Sequence, residues 1–273
     1  MNRLQLIKQI REKKTYLCVG LDTDVAKIPA HLRSQPDAVF EFNKAIIDAT
    51  RDQCISYKLN VAFYEVMGKK GWEALEQTLE YIPPTHFTIA DAKRGDIGSS
   101  SSQYAKTFFE TYNFDAITVA PYMGEDSVRP FLDYEDKFTI VLGLTSNKGA
   151  QDFELVKTSE GEYFYEKVIR TISSWGTPDN LMFVVGATQA DQLVNIRKII
   201  PDHFLLIPGV GFQGGSLHDV SKHGMNKDCG IIVNVGRSIA YASNKENFAE
   251  EAAAIAREYQ TEMKGYLGNW LIS

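Results

Sequence analysis

Apolar residues gather in short runs along the chain, at 16–22, 56–60, 87–92, 116–120, 138–144, 182–187, 204–208 and 230–235. Several of these runs are almost wholly apolar, which suits strands buried on both faces of a parallel sheet. Between them the period changes. Ala38, Val39, Phe42, Ala45, Ile46 and Ala49 trace one face of a helix, because residues three and four apart share a side. The stretches 73–81 and 163–172 repeat that pattern. Thr188 followed by Asp191 marks a helix start after the sixth run. Ser243 with Glu246 fits a capping box ahead of a long helix over 248–264, since the hydroxyl and the carboxylate can each satisfy an unpaired N–H of the first turn.

Strands alternating with helices predict an α/β fold, either a (β/α)8 TIM barrel or a large doubly wound sheet. The residues at or after the C-terminal ends of the runs favour the barrel. Gly20-Leu-Asp22, Lys58, Asp91-Ala-Lys93, Thr145-Ser146, Gly209-Val-Gly211 and Gly236-Arg237 are polar or glycine-rich. Strand C-terminal ends meet at one face of a barrel, and that face carries its chemistry. The chain has 273 residues, enough for a single barrel domain spanning 1–273. The segment 147–161 is polar, follows the fifth run and reads as a lid.

Net charge of −6 argues against a nucleic-acid partner, which calls for a basic surface. It leaves room for a small anionic ligand in one positive pocket. Cys18, Cys54 and Cys229 are odd in number, far apart and without a CxxC spacing. That predicts neither a disulfide framework nor a zinc site, and a reducing cytoplasm fits best. The first fourteen residues carry charges every few positions, so no secretory leader is expected there. No run of about 18 apolar residues is present to span a membrane.

The candidate chemistry centres on Ile89-Ala-Asp-Ala-Lys-Arg-Gly-Asp-Ile97. On an extended chain Asp91 and Lys93 share a face. Lys58, from the preceding strand, joins them, and Asp96 follows in the adjoining loop. An alternating set of Lys58, Asp91, Lys93 and Asp96 results. Taken by itself it is equally a salt-bridge network closing the top of a barrel. The glycines after the seventh run and Gly236-Arg237 after the eighth suggest a phosphate site, because bare backbone N–H groups can approach an anion and arginine can grip it with two bonds.

Asp91-Ala-Lys-Arg-Gly-Asp-Ile-Gly98 resembles the signature of the orotidine 5′-monophosphate decarboxylases, in their longer bacterial form. Gly20-Leu-Asp22, Tyr57-Lys-Leu-Asn-Val-Ala-Phe-Tyr-Glu65, Thr145-Ser-Asn-Lys-Gly149, Pro208-Gly-Val-Gly-Phe-Gln-Gly-Gly215 and Asn234-Val-Gly-Arg-Ser-Ile239 fall in that family's order. The ordered set spans residues 20 to 239, nearly the whole chain.

The resemblance implies loss of carbon dioxide from C6 of an orotate ring, with neither metal nor organic cofactor. Lys93 would be the proton donor. Asp91 would lie near the substrate carboxylate, or hold Lys93 charged and oriented. Lys58 would pair with Asp91 and touch a ribose hydroxyl. Asp96 and Ser100, a position often threonine in the family, would reach the ligand of the partner in a homodimer. Asp22 would accept from the ribose, Ser146 would contact the pyrimidine amide edge, and Gln213, Gly236 and Arg237 would hold the phosphate. Asn60 and Glu65 also match, without an assigned step. The rival readings are a barrel decarboxylase or aldolase acting on a sugar phosphate, and a noncatalytic binder of a phosphoribosyl ligand. His31, His86, His203, His218 and His223 form no metal-binding spacing and are expected to be structural or on the surface. Tyr122 and Met123 could line a pocket or pack in the core.

Overall fold

The computed structural model describes residues 1–211 and 213–270. Among them are eight strands: β1 (Leu17–Gly20), β2 (Ser56–Asn60), β3 (Phe87–Arg94), β4 (Ala116–Val119), β5 (Phe138–Leu144), β6 (Leu181–Val185), β7 (Phe204–Pro208) and β8 (Ile231–Val235). They close in sequence order into a barrel with helices between consecutive strands. The TIM-barrel class read from the alternation is the class found. The ladders β1–β2, β2–β3, β4–β5, β5–β6 and β6–β7 are parallel.

The chain forms two compact units, one of Arg3–Ala92 with the segment from Asn234 onward, the other of Lys93–Val233. In the first unit, helix Ala38–Thr50 buries Ala38, Val39, Phe42 and Ile46 of the predicted face and Ile47 besides, while Ala45 and Ala49 are only half-buried. Phe42 stacks on Tyr241 and Phe248, with ring centroids 5.8 and 5.2 Å apart, so the start of the C-terminal helix Phe248–Trp270 is pinned through aromatic contact. In the second unit, helix Phe164–Ser173 buries Tyr165, Ile169 and Ile172. The N–H of Tyr163 donates to Glu166 at 2.9 Å, closing the helix start.

Strands β2, β5 and β7 have the bounds their apolar runs predict. Strand β3 runs two residues further, to Arg94. Polar side chains hid this extension, yet the ladder continues: the N–H of Ala120 donates to the Arg94 carbonyl at 2.8 Å. The predicted capping box at Ser243 does not form. Its hydroxyl accepts from Lys245 N–H at 3.1 Å, and the helix begins at Phe248. After β6 the chain makes a 3-10 turn, Ala187–Gln192, before helix Leu193–Ile199. The insertion 147–161 carries a turn at Lys148–Asp152 and then folds back, with a bridge between Lys157 and Tyr163.

Among the described residues no helix is long and apolar enough to cross a membrane. Cys18, Cys54 and Cys229 are free and buried. Burial pushes their thiols up to about 12, 11 and 12, which leaves almost no reactive thiolate at neutral pH.

Candidate active site

The first unit supplies a buried charge relay. Lys58 lies on β2, level with Gly20 of β1 and Ile89 of β3. It sits two residues before the end of its strand, not at the end as its position in the sequence suggested. Its ammonium donates to Asp91 Oδ2 at 2.7 Å and to Asp22 Oδ1 at 3.2 Å. The lysine side chain is 4% exposed, against 11% for Asp91 and 24% for Asp22. Burial works against its charge, but Asp22 and Asp91 outweigh burial and raise its pKa. Lys58 is therefore held as a cation at neutral pH. An ion pair this deep costs several kcal/mol to desolvate, so removing one partner is far more damaging than the net stability of the pair would suggest.

Asp22 is fixed by its backbone. The Tyr241 hydroxyl donates to the Asp22 carbonyl at 2.9 Å and accepts from Asp24 N–H at 2.7 Å. Tyr64 donates to the Leu21 carbonyl at 3.0 Å, and Asn43 donates to Tyr64 at 3.0 Å. Both tyrosine hydroxyls have raised pKa values, chiefly from burial, and stay protonated as donors. Gly20 is required here: a Cβ on it would stand 3.0 Å from Gly236 Cα and 3.2 Å from Asn234 Oδ1. This close approach sets the Gly236-Arg237 turn beside Asp22, whose Oδ2 lies 4.0 Å from the place of a Cβ on Gly236. Arg237 opens the short helix Arg237–Ala240 and is exposed. Asn60 pairs in register with Asp91 and is half-buried.

The second unit holds Lys93. Its φ is 47°, in the left-handed region that side chains with a Cβ rarely adopt. The expectation that Asp91 and Lys93 share a face rested on regular strand alternation, and the backbone departs from that alternation at Lys93. The Lys93 N–H donates to Thr118 Oγ1 on β4 at 2.9 Å, and Thr118 is buried. Strain of this kind persists only where the surroundings enforce it, and it clusters at functional sites. Asp96 is half-buried and accepts from its neighbour Ile97 N–H at 2.7 Å. Ser100 is exposed in the first turn of helix Gly98–Lys106.

Ser146 and Gln213 also belong to this unit, and they meet: Ser146 Oγ is 2.9 Å from Gln213 Oε1. Gly209, with φ of 98°, leaves space that Gln213 needs, since a Cβ would stand 2.8 Å from Gln213 Oε1. Gly186 admits the Ser146 backbone in the same way, with Ser146 N only 2.6 Å from where its Cβ would be. Phe212, quoted in the glycine-rich motif, lies outside the described residues.

Three supports escaped the sequence reading: Thr118, Tyr241 and the hydroxyl of Tyr64. Each acts on a residue 25 or more positions away, so no local spacing reveals it. Tyr122 and Met123 are 84% and 45% exposed, which removes the core-packing reading for both. His86 and His203 are buried, while His31 and His218 are exposed.

A family model described as orotidine 5′-phosphate decarboxylase / HUMPS family matches residues 15–252. The chain belongs to that family. Curated orotidine 5′-phosphate decarboxylases resemble it closely. The protein of that name from Bacteroides fragilis is 57% identical over 266 residues, covering 96% of this chain and 97% of its own. That from Christiangramia forsetii is 56% identical over 270 residues, covering 98% and 99%. Among solved structures, a putative orotidine-monophosphate decarboxylase from Toxoplasma gondii superposes with a TM-score of 0.86 at 32% identity, covering 98% of this chain and 97% of that one. The orotidine 5′-monophosphate (OMP) decarboxylase of Leishmania donovani gives 0.80 at 34%, covering 96% and 99%. The matched span contains every motif of the ordered set, from residue 20 to residue 239.

Proposed function

We propose that this protein, acting as a single barrel domain, is a carboxy-lyase that converts orotidine 5′-monophosphate to uridine 5′-monophosphate (UMP) in pyrimidine biosynthesis. The observation that carries the reading is Lys58, buried between Asp22 and Asp91 at hydrogen-bond distance from both. Two carboxylates and an ammonium brought out of water suit a site built for charge rather than a simple binding pocket.

In this reading the C6–carboxylate bond breaks, carbon dioxide leaves, and the electron pair stays on C6. The Lys93 ammonium stabilises that pair and then delivers its proton to C6. Fixed charges in a low-dielectric site do this without reorganising at the moment of reaction. Asp91 faces the departing carboxylate or keeps Lys93 charged, with Lys58 holding Asp91 in place. Asp22 takes a ribose hydroxyl. Ser146 contacts the amide edge of the pyrimidine, offering a hydroxyl that both donates and accepts. Gln213, Gly236 and Arg237 hold the phosphate, and Asn60 lines the site. Asp96 and Ser100 serve the neighbouring site of a homodimer.

Chelator-treated protein mixed with orotidine 5′-monophosphate should bleach the orotate absorbance. No loss of absorbance would sink the proposal, and loss only after magnesium is added would sink its cofactor-free form. Mixing Lys93→Ala with Asp96→Ala protein should restore part of the activity, as subunits exchange and one intact site forms. Exchange without recovery would show that Asp96 serves its own subunit.

A further inference from the structure

The chain just beyond β5 is held more tightly than a loop needs. Glu154, ten residues past the end of that strand, turns its carboxylate back onto it. The Thr145 N–H donates to Glu154 Oε2 at 2.7 Å, and Thr145 Oγ1 lies 2.8 Å from Oε1 and 3.1 Å from Oε2. Thr145 Oγ1 is also 2.6 Å from the Asn147 side-chain oxygen position. One hydroxyl proton cannot serve both. The charged carboxylate is the stronger of the two acceptors.

The other end of the same peptide is fixed as well. The Leu144 carbonyl accepts from Gly186 N–H at 2.8 Å. Both polar groups of the Leu144–Thr145 peptide are thus bonded, which sets the direction in which the chain enters Ser146. Gly186 then backs Ser146 so closely that a Cβ would stand 2.6 Å from its N and Cβ. Glu154 is anchored too: its carbonyl accepts from Tyr165 N–H and Leu155 N–H donates to Ala150 O, each at 3.0 Å. The carboxylate therefore acts from a fixed point.

We propose that Glu154 is a positioning residue for recognition of the pyrimidine ring. It holds the Leu144–Thr145 peptide so that Ser146 presents its polar groups to the amide edge of the base. This rests on the assignment of Ser146 to the pyrimidine. Glu154 touches no reacting atom, so its loss weakens base recognition and leaves the Arg237 phosphate contact and the Asp22 ribose contact in place. A charged hydrogen bond of this type, once removed, corresponds to about a tenfold change in affinity.

The test compares wild-type, Glu154→Ala and Glu154→Gln proteins by calorimetric titration with UMP and, separately, with ribose 5-phosphate. Glu154→Ala should lose about tenfold in UMP affinity and change by less than about twofold toward ribose 5-phosphate. Glu154→Gln, whose amide oxygen still accepts the Thr145 N–H, should recover most of the loss. In turnover, KM should rise more than kcat falls. If Glu154→Ala fails to fold, Thr145→Val, which removes the hydroxyl anchor alone, should show a smaller loss of the same kind. Equal weakening toward both ligands would mark a general structural role and overturn the inference. Unchanged UMP affinity would also overturn it, while leaving the assigned function intact. A wild-type protein that binds ribose 5-phosphate but not UMP would sink both.

Discussion

The backbone N–H of Lys93 donates to the hydroxyl of Thr118 at 2.9 Å, while Lys93 itself holds a φ of 47°. The hydroxyl faces the strained peptide from the adjoining strand and helps hold it there. Thr118→Val keeps the shape and removes the acceptor. A lost hydrogen bond of about 1 kcal/mol lets the Lys93 backbone relax, and kcat should fall roughly fivefold with a smaller change in KM. Thr118→Ser should retain most of the activity. Steady-state kinetics on the pair, with thermal melts to confirm folding, decides the point. A kcat unchanged in Thr118→Val would refute it.

Lys58 is the partner both carboxylates need. Lys58→Met removes the ammonium that lies between Asp22 and Asp91. The expected cost is about 3 kcal/mol at pH 7, read from urea unfolding. The sign with pH is specific. Protonation relieves the repulsion between the two carboxylates once the ammonium is gone, so stability recovers as pH falls toward 4. A deficit that stays constant from pH 7 to pH 4 would contradict this account.

His86 lies at a second buried charge contact. Its Nε2 is 2.8 Å from Lys13 Nζ and 2.8 Å from the Arg51 carbonyl, which Lys13 also reaches. Burial, then the Lys13 charge, lowers the His86 pKa to about 4, with Asp52 and the Arg51 and Pro83 carbonyls opposing. Protonating the ring would put two cations side by side. The unfolded chain takes up its proton near 6.5, so stability is complete above that pH and falls as pH drops from about 6.5 to 4. The full contribution is roughly 3 kcal/mol. Urea unfolding of His86→Gln should show a flatter dependence across that window, and identical slopes would count against the assignment.

Tyr241 ties the strand-one aspartate to the turn after strand eight. Tyr241→Phe removes a bond to the Asp22 carbonyl and one from Asp24 N–H. Each is worth about 1 kcal/mol at most, so KM should rise about fivefold while kcat holds within about twofold. Equal falls in kcat and kcat/KM would instead place Tyr241 in the transition state.

Much of the fold was legible because buried strands and amphipathic helices leave a period in the sequence. The limits show where polar residues enter the ladder. Lys58 sits inside β2 rather than at its tip, and β3 carries on through Lys93 and Arg94. Apolar content cannot mark a strand whose inner face is charged. The candidate site residues were readable from motif order. Their supports were not: Tyr241 and Asp22 are 219 positions apart, Lys93 and Thr118 25 apart, and nothing in the intervening chain announces the pair. The failed capping box at Ser243 has the opposite lesson, because local spacing alone suggested a bond that Lys245 and Asn247 take instead.

The left-handed backbone at Lys93 also bears on how the chain could be improved. Glycine adopts that conformation without steric penalty. Lys93→Gly should therefore melt higher than the natural chain while turning over nothing. A library screened for heat resistance alone would drift toward that substitution, so endurance and chemistry pull in opposite directions at this single position.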